Sequence, residues 1–258
     1  MALAIDLSGR RALVTGAGQN VGRAIASGMG AAGAEVVVND LRADRAANVA
    51  EEIRRAGGAA ISAPFDVTSW TETNRAVAEL APDILVNNAG NSGERPLTGV
   101  PPPFLETHPD DWEPFIRVNL YGVLYCTRAA VSPMAERGWG RVVTIISDAA
   151  RKGSRGLAAY SAAKAGSAAL MRTLAAELGS AGITFNSVSL GVIMPPGLSN
   201  SSDGERAAAV DRLIKGYPVK RFGEPSDVAG VVALLCSDMA SWITGQTYPV
   251  DGGYVAAL

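Results

Sequence analysis

The sequence predicts an α/β fold: a doubly wound, parallel β-sheet of about seven strands flanked by helices, formed as a single domain over residues 1–258. Short β-branched runs alternate with alanine-rich helical stretches, and strands this apolar belong in a parallel sheet that helices cover on both faces. A chain of 258 residues lies within the range of one α/β sheet. The composition, 48% hydrophobic and 19% charged, excludes a disordered protein.

Four strands and three helices alternate in the first half of the sequence. They are a strand RRALVT, a helix near 21–32, a strand EVVVND, a helix over about 44–56, a strand AAISAPFD, another helix and a strand DILVNNAG. Crossovers between parallel strands are right-handed, so the helices between successive strands cover the faces of the sheet. This half therefore predicts one continuous parallel sheet.

The second half adds three strands. It contains a long helix near 110–137, a strand RVVTIIS, a helix over about 157–179, a strand ITFNSVSL, a polar irregular segment at 195–217, a helix over 225–237 and a strand in TYPVDGG. Three successive prolines in 91–107 cannot donate ladder or helical hydrogen bonds, so this segment is a loop. We expect it and 195–217 to form the wall of a substrate pocket. Thr107 is the candidate cap of the helix that begins in ETHPDDWEPF.

The charge balance excludes two classes of partner. With a net charge of −2 and an isoelectric point near 5.5, the chain does not attract a nucleic acid backbone or an anionic membrane surface. The N-terminus lacks a cleavable leader pattern, and no stretch reaches the ~18 apolar residues of a membrane span. We therefore expect a cytoplasmic protein whose ligand is a small molecule.

The cysteines and the single histidine do not predict a metal site. Cys126 and Cys236 lie far apart in apolar helical patterns, which favours buried free thiols. His108 belongs to a helix-start pattern, so we expect it at the surface. Because no cluster of Cys and His is present, the sequence argues against a zinc-dependent alcohol dehydrogenase.

A glycine-rich turn between the first strand and the first helix predicts a pyrophosphate site. Residues 15–22 read Thr-Gly-Ala-Gly-Gln-Asn-Val-Gly. Glycine permits positive backbone angles and lets main-chain amides approach phosphate, while the helix N-terminus supplies partial positive charge. By itself the pattern could be an ordinary turn. The strand before it and the helix after it favour a dinucleotide site of the Rossmann type.

This turn resembles the Thr-Gly-x-x-x-Gly-x-Gly signature of the short-chain dehydrogenase/reductase family, and the likeness spans residues 8–253. Asn20 stands where the family has its middle glycine. Asparagine tolerates left-handed backbone angles, so we expect the turn to be kept. The resemblance implies an NAD(P)-dependent oxidoreductase acting on CH–OH groups. It also implies cofactor contacts with Gly16, Gly18, Gln19, Asn20, Val21 and Gly22.

Asp40 ends the second strand, where an acid can accept both hydroxyls of the adenosine ribose and repel a 2′-phosphate. With Leu41 assigned to the same pocket, this favours NAD over NADP. Arg42 could neutralise the repulsion, and Asp40 could instead be a helix cap or turn residue.

By resemblance, three further segments contact the cofactor. The acid after the third strand contacts the adenine, Asn-Asn-Ala-Gly forms the nucleotide floor, and the segment after the sixth strand contacts the nicotinamide amide. The residues are Asp66, Val67, Asn88, Ala89, Gly90, Gly191 and Ile193. In the last segment Leu190 and Pro195 depart from the family pattern.

Tyr160 and Lys164 are spaced four residues apart in a segment with good helix propensity, so they lie one turn apart on the same face. Tyrosine is a poor base at neutral pH because its reference pKa is about 10. A neighbouring ammonium favours the phenolate, which makes lysine a useful partner. An isolated pair at this spacing would be unremarkable on a surface helix.

Two more positions match the family's remaining catalytic residues, Ser147 at the end of RVVTIIS and Asn119 in RVNLYG. The resemblance implies that Ser147 donates to the substrate oxygen and Tyr160 exchanges the proton. Lys164 binds the nicotinamide ribose and tunes Tyr160, while Asn119 holds a water of the proton relay. Donors placed for a developing oxyanion stabilise the transition state more than the ground state.

The resemblance implies that the substrate is a secondary alcohol or ketone, and the stretch after Ser147 resembles members acting on 3-hydroxyacyl or 3-oxoacyl thioesters of coenzyme A or acyl carrier protein. Simple or cyclic secondary alcohols are the alternative. Arg151, Lys152 and Arg155 are either solvated or attract an anionic substrate. A catalytically silent NAD(P) sensor and a sugar-nucleotide epimerase are the rivals from other classes.

A homotetramer or dimer is expected. The helix that carries Tyr160 continues with small residues, which permit close helix contact, and the resembling family pairs this helix across subunits. The small residues are Ala165, Gly166, Ala168 and Ala169.

Overall fold

Seven parallel strands form one sheet in the computed structural model, which describes residues 4–91, 102–194 and 204–255. The strand order is β3-β2-β1-β4-β5-β6-β7. The strands are β1 (Arg11–Val14), β2 (Glu35–Val38), β3 (Ala59–Ser62), β4 (Ile84–Asn87), β5 (Gly140–Ser147), β6 (Ile183–Leu190) and β7 (Thr247–Val250). The predicted doubly wound α/β fold is confirmed.

Helices lie between successive strands and cover both faces of the sheet. They are α1 (Asn20–Ala31), α2 (Ala43–Arg55), α3 (Trp70–Leu80), α4 (Pro109–Ile116), α5 (Gly122–Arg137), α6 (Ala158–Leu178), α7 (Gly204–Lys215) and α8 (Pro225–Cys236). In the ranges that the structure describes, no helix is long and apolar enough to cross a membrane.

Each face of the sheet has its own apolar core because neighbouring residues of a strand point to opposite faces. In β2, Val36 and Val38 pack with α1 and α2 on one face, whereas Val37 joins the core on the other face. Phe185 of β6 and Met171 of α6 lie in that second core. Full burial of such side chains contributes about 1.5–3 kcal/mol each, which explains why the strands read as continuous apolar runs.

The strand order reverses between β1 and β4, so the loops after these two strands diverge to opposite sides of the sheet. In open α/β sheets this switch point leaves a crevice at the carboxyl ends of the strands. The glycine-rich turn after β1 lies there.

The prediction of an irregular segment over 195–217 was wrong for the part that the structure describes. Residues 204–215 form α7, because alanine, arginine and glutamate favour a helix there. The helix places Val210 against Tyr217 and Phe222 in a small third core.

The long helix predicted near 110–137 is interrupted by a π-helical turn at Arg117–Tyr121, between α4 and α5. The predicted cap was also wrong: His108, not Thr107, caps α4. The His108 side chain accepts from the Asp110 N–H, and Asp111 accepts from the His108 N–H. Thr107 instead donates to the Phe104 carbonyl oxygen.

Candidate active site

A cleft of about 560 Å³ lies at the switch point, along the carboxyl ends of β1, β2 and β4. Twelve of the residues predicted to bind the cofactor line it: Gly16, Gln19, Asn20, Val21, Gly22, Asp40, Leu41, Asp66, Val67, Asn88, Ala89 and Gly90. Residues far apart in sequence thus meet in one cavity large enough for part of a dinucleotide.

The turn after β1 has positions with a positive φ and positions with no room for a Cβ. Gly16 has a φ of 61° and Asn20 a φ of 48°, so the asparagine adopts the left-handed conformation expected of it. A Cβ added to Gly22 would lie 2.3 Å from the Gly16 carbonyl oxygen and 2.4 Å from Asn88 Nδ2. These close approaches keep main-chain amides at the cleft surface, where phosphate oxygens would bind.

Asn88 and Asn39 hold this turn from two neighbouring strands. Asn88 Nδ2 donates to the carbonyl oxygens of Thr15 and Gly16 at 2.9 and 3.0 Å. Asn39 Oδ1 accepts from the Gly16 N–H at 3.3 Å, while its Nδ2 donates to two carbonyl oxygens beyond β3. The sequence argument missed Asn39, whose position just before Asp40 was the available signal.

Asp40 is buried at the edge of the cleft. Its Oδ2 accepts from the Gly18 N–H at 3.1 Å, and its Oδ1 accepts from the Arg42 N–H at 3.0 Å. Asp40 therefore serves as a turn residue and also lines the cleft. The Arg42 side chain forms a bidentate ion pair with Asp44, whereas Arg45, which the sequence argument missed, lines the cleft beside Asp40.

Lys164 lies on α6, one turn after Tyr160, and its Nζ is 6.0 Å from the centre of the Tyr160 ring. The Lys164 ammonium donates to the Ile145 carbonyl oxygen of β5 at 2.9 Å. Burial lowers the pKa of Lys164 to about 8, because removing the ammonium from water disfavours its charged form. A Cβ on Gly90 would lie 3.3 Å from this Nζ, so Lys164 reaches the floor of the cleft.

Asn119 lies in the π-helical turn and is buried. Its Nδ2 donates to the carbonyl oxygens of Asn91 and Phe115 at 2.7 and 3.0 Å, and its Oδ1 accepts from the Asn91 N–H at 3.3 Å. The Asn119 backbone carbonyl accepts from Ser167 Oγ at 2.6 Å. A relay water on this carbonyl would therefore use its second lone pair.

Ser147 is the last residue of β5, next to α6 in the structure. Its Oγ accepts from the Ala149 N–H at 3.2 Å. Because a hydroxyl has one hydrogen and two lone pairs, this contact leaves the Ser147 hydrogen for another acceptor.

Gly191 and Ile193 do not line the cleft. Ile193 forms an isolated parallel bridge with Gly223 and lines a second cavity of about 340 Å³. The bridge uses the Val192 carbonyl and the Met194 N–H, so the peptide groups of Ile193 itself point to the opposite side. Pro195 lies outside the described residues.

Comparison with known proteins places this chain in a family. A family model described as enoyl-(acyl carrier protein) reductase matches residues 16–255. The chain is 34% identical over 259 residues to 7alpha-hydroxysteroid dehydrogenase of Escherichia coli (strain K12), covering 98% of this chain and 97% of that protein. The chain belongs to the short-chain dehydrogenase/reductase family.

Two solved structures of similar proteins support the family and the cofactor class. A gluconate 5-dehydrogenase from Burkholderia cenocepacia J2315, in complex with NADP and tartrate, has a TM-score of 0.88 and 33% identity, covering 98% of each chain. A 3-oxoacyl-[acyl-carrier protein] reductase with bound NAD from Brucella melitensis has a TM-score of 0.88 and 33% identity, covering 98% of this chain and 94% of that one. This short-chain dehydrogenase/reductase is an NAD(P)-dependent oxidoreductase acting on secondary alcohols and ketones.

The three cations after Ser147 differ in their partners and in their exposure to solvent. Arg151 lies between the carboxylates of Asp148 and Asp251, and Lys152 lies over the ring of Tyr254. Arg155 is exposed. The hypothesis that all three attract an anionic substrate is therefore revised, because two of them have partners within the chain.

No group of His, Cys, Asp and Glu in the described ranges could hold a metal ion. Cys126 and Cys236 are buried free thiols. Burial raises the pKa of Cys126 to about 12 and that of Cys236 further, so neither is a ready nucleophile.

Proposed function

We propose that Ser147, Tyr160, Lys164 and Asn119 are the residues that carry the reaction between a secondary alcohol and a ketone. The observation that supports this most is the placement of Lys164. Its buried ammonium lies one helical turn from Tyr160, is held by the end of β5 that carries Ser147, and lies against Gly90 of the cofactor cleft. Proton exchange and cofactor binding therefore share one side chain.

The cleft residues fit a nicotinamide dinucleotide. Glycines at 16 and 22 allow the pyrophosphate to approach the N-terminus of α1. Asp66 and Val67 line the adenine end of the cleft. Ile193 lies outside the cleft, and its peptide groups, which point away from the bridge to Gly223, would hold the carboxamide. The bound nicotinamide would supply or accept the hydride.

The remaining chemistry is proton transfer and charge stabilisation by this chain. The Ser147 hydroxyl donates to the substrate oxygen, which stabilises the negative charge that builds there during reduction. Tyr160 gives its proton to that oxygen and, in the oxidative direction, takes it back. Because the pKa of Lys164 is about 8, its side chain stays protonated at neutral pH. In the oxidative direction this positive charge favours the phenolate form of Tyr160.

We infer a preference for NAD over NADP from the charges around the ribose end of the cleft. The Asp40 carboxylate faces a 2′-phosphate unfavourably, and Arg42 is engaged by Asp44. Arg45 is the cation that could make NADP acceptable, because it lines the cleft beside Asp40. Steady-state kinetics with the two cofactors measures this preference directly.

For the substrate we favour a 3-hydroxyacyl or 3-oxoacyl thioester of coenzyme A or acyl carrier protein, because acyl carrier protein reductases are among the similar proteins. A simple or cyclic secondary alcohol is the alternative, which the similarity to a hydroxysteroid dehydrogenase supports. A screen with NAD and NADP across hydroxyacyl-CoA, simple alcohols and cyclic alcohols tests the choice.

The same screen separates the rival classes. A dehydrogenase changes the net amount of NADH, whereas a silent sensor binds the cofactor without turnover and an epimerase leaves NADH unchanged. An absence of any NADH change across the screen would contradict the proposed roles of Ser147 and Tyr160.

We further propose that the chain is a cytoplasmic homotetramer or dimer, paired through α6. Ala169 and Ala162 are exposed on this helix, whereas Ala168 is buried within the chain and Gly166 packs on Leu120. The exposed small residues would allow two helices to approach closely. Light scattering at micromolar concentration measures the association.

A further inference from the structure

A buried cluster of charges follows the proposed catalytic serine. Asp148 comes directly after β5 and Asp251 directly after β7, and both carboxylates are more than nine-tenths buried. Arg151 Nη1 lies 3.6 Å from Asp148 Oδ1 and 3.7 Å from Asp251 Oδ2. One guanidinium thus lies between two carboxylates from different segments of the chain.

Each carboxylate is also fixed to its own surroundings. Asp148 Oδ1 accepts from Ser189 Oγ of β6 at 2.7 Å. Asp251 accepts from two backbone N–H groups of the C-terminal segment 251–255 at 2.9 and 3.1 Å. Burial raises the pKa of Asp148, the charge of Asp251 adds to this effect, and Arg151 opposes it. Without the guanidinium, two buried acids would face each other uncompensated.

A second contact joins the same two segments. Lys152 Nζ lies 3.4 Å from the centre of the Tyr254 ring, and that ring stacks on Tyr217 at 4.4 Å. The Tyr217 hydroxyl accepts from the Val192 N–H at 3.0 Å. The segment after Ser147, the C-terminal segment and the segment after β6 that carries Ile193 are connected in this way.

The path from Arg151 to Ser147 is short. The backbone N–H groups of Arg151 and Lys152 both donate to the Asp148 carbonyl oxygen at 2.9 Å. Within the same turn, the Ala149 N–H donates to Ser147 Oγ at 3.2 Å. A displacement of this turn therefore moves the Ser147 hydroxyl.

We propose that Arg151 is a positioning residue that fixes Ser147 by joining segment 148–152 to segment 251–255 through the two buried carboxylates. This inference rests on the role of Ser147 proposed above. Arg151 does not line the cofactor cleft.

The first test compares Arg151→Met, Arg151→Lys and the control Arg155→Met, which alters an exposed cation of the same loop. Arg151→Met should lower kcat about 10- to 100-fold, because a misplacement of about 1 Å costs up to roughly that much. KM for the cofactor should stay within about threefold, because the nucleotide cleft lies on the other side of β5. Arg151→Lys should recover part of kcat, and Arg155→Met should resemble the wild type. A kcat within about twofold of wild type in Arg151→Met would overturn the proposal.

The second test separates positioning from stability alone. The double variant Asp148→Asn/Arg151→Met removes the repulsion between the two carboxylates and leaves Asp251 with its two backbone donors, so its melting temperature should recover part of the way toward wild type while kcat remains low. Recovery of kcat together with the melting temperature would assign Arg151 a purely structural role.

A third readout does not depend on activity. In Arg151→Met, amide hydrogen exchange should become faster in both 148–152 and 251–255, and unchanged exchange would contradict the link. If the wild type turns over no substrate, the proposed function fails, whereas the exchange result still decides whether Arg151 joins the two segments.

Discussion

The nucleotide half of the sheet, from β1 to β4, builds its site mainly from backbone, whereas the catalytic half, from β5 to β7, builds its site from side chains. From β1 to β4 the cleft is shaped by backbone: Gly16 and Asn20 adopt positive φ, and Gly22 has no room for a side chain. From β5 to β7 the site consists of side-chain charges held in buried surroundings, such as Lys164 and Asp148. The nucleotide half depends on backbone that a ligand can approach closely, and the catalytic half depends on where charged side chains are placed.

The physical reason lies in what each half must bind. Phosphate oxygens are held by main-chain N–H groups, which a Cβ would keep at a distance. A proton is exchanged by a side chain whose pKa is shifted by burial and neighbours, so its functional group matters more than its volume. Substitutions in the nucleotide half should therefore mainly change cofactor binding, and substitutions in the catalytic half should mainly change turnover.

The largest effect is expected for Tyr160→Phe, which keeps the ring and its edge contact with Phe115 but removes the hydroxyl. Turnover should fall about 10²- to 10⁴-fold, because a general acid-base group is removed. NADH binding, measured by fluorescence titration, should remain nearly unchanged. Turnover within tenfold of wild type in a chemistry-limited assay would contradict the role of Tyr160.

A pH effect on stability should reveal the buried Lys164 ammonium. Its pKa is about 8 in the folded protein and 10.5 in the reference state, so the unfolded chain holds the proton more strongly. Wild-type stability should rise relative to Lys164→Met between pH 8 and 10.5, by roughly 3 kcal/mol in total. Denaturant unfolding of both proteins across this range measures the difference.

The control for this experiment is Lys215→Met, at an exposed lysine in the last turn of α7. The difference in the free energy of unfolding between this variant and wild type should not change with pH over the same range. A flat difference for Lys164→Met as well would mean that the Lys164 amine is not desolvated.

Gly22→Ala tests the nucleotide half with the smallest possible addition. The new Cβ would meet the Gly16 carbonyl and Asn88, so either the turn or α1 must shift. Overpacking of this kind costs about 1–3 kcal/mol, which corresponds to a roughly 5- to 150-fold higher Kd for NADH if the turn pays it on binding. Gly230→Ala in α8, where a Cβ meets nothing within 4 Å, is the matched control. Equal NADH affinity of the two variants would contradict the claim that the nucleotide half depends on close approach of the backbone.

The smallest effect is expected for Asp40→Asn, which keeps an acceptor for the Gly18 N–H and removes the charge. The ratio of kcat/KM for NADP to that for NAD should rise about tenfold, since one repulsion worth about 1.4 kcal/mol is lost. Arg45→Met should move the same ratio in the opposite direction. Glu51→Gln, at a half-buried residue of α2 that does not line the cleft, should leave it unchanged. A wild type that already prefers NADP would show that Arg45 outweighs Asp40.

The sequence by itself determined the fold, and it predicted most of the residues that line the nucleotide cleft. Apolar strands alternating with helices predicted the sheet, and the spacing of Tyr160 and Lys164 placed them on one helical face, as α6 has them. The left-handed angle of Asn20 was predicted from its residue type. These features follow from local backbone preferences and from strand and helix periodicity, which a sequence contains.

Only the tertiary structure decided which polar groups meet. The sequence grouped Arg151 with Lys152 and Arg155 as free cations, but folding places it between Asp148 and Asp251, 100 residues farther along the chain. It also turns Arg42 away to Asp44 and brings Arg45 to the cleft. Charged side chains have long, flexible stems, and their partners are set by which strand ends lie side by side. Local sequence patterns do not contain that long-range arrangement.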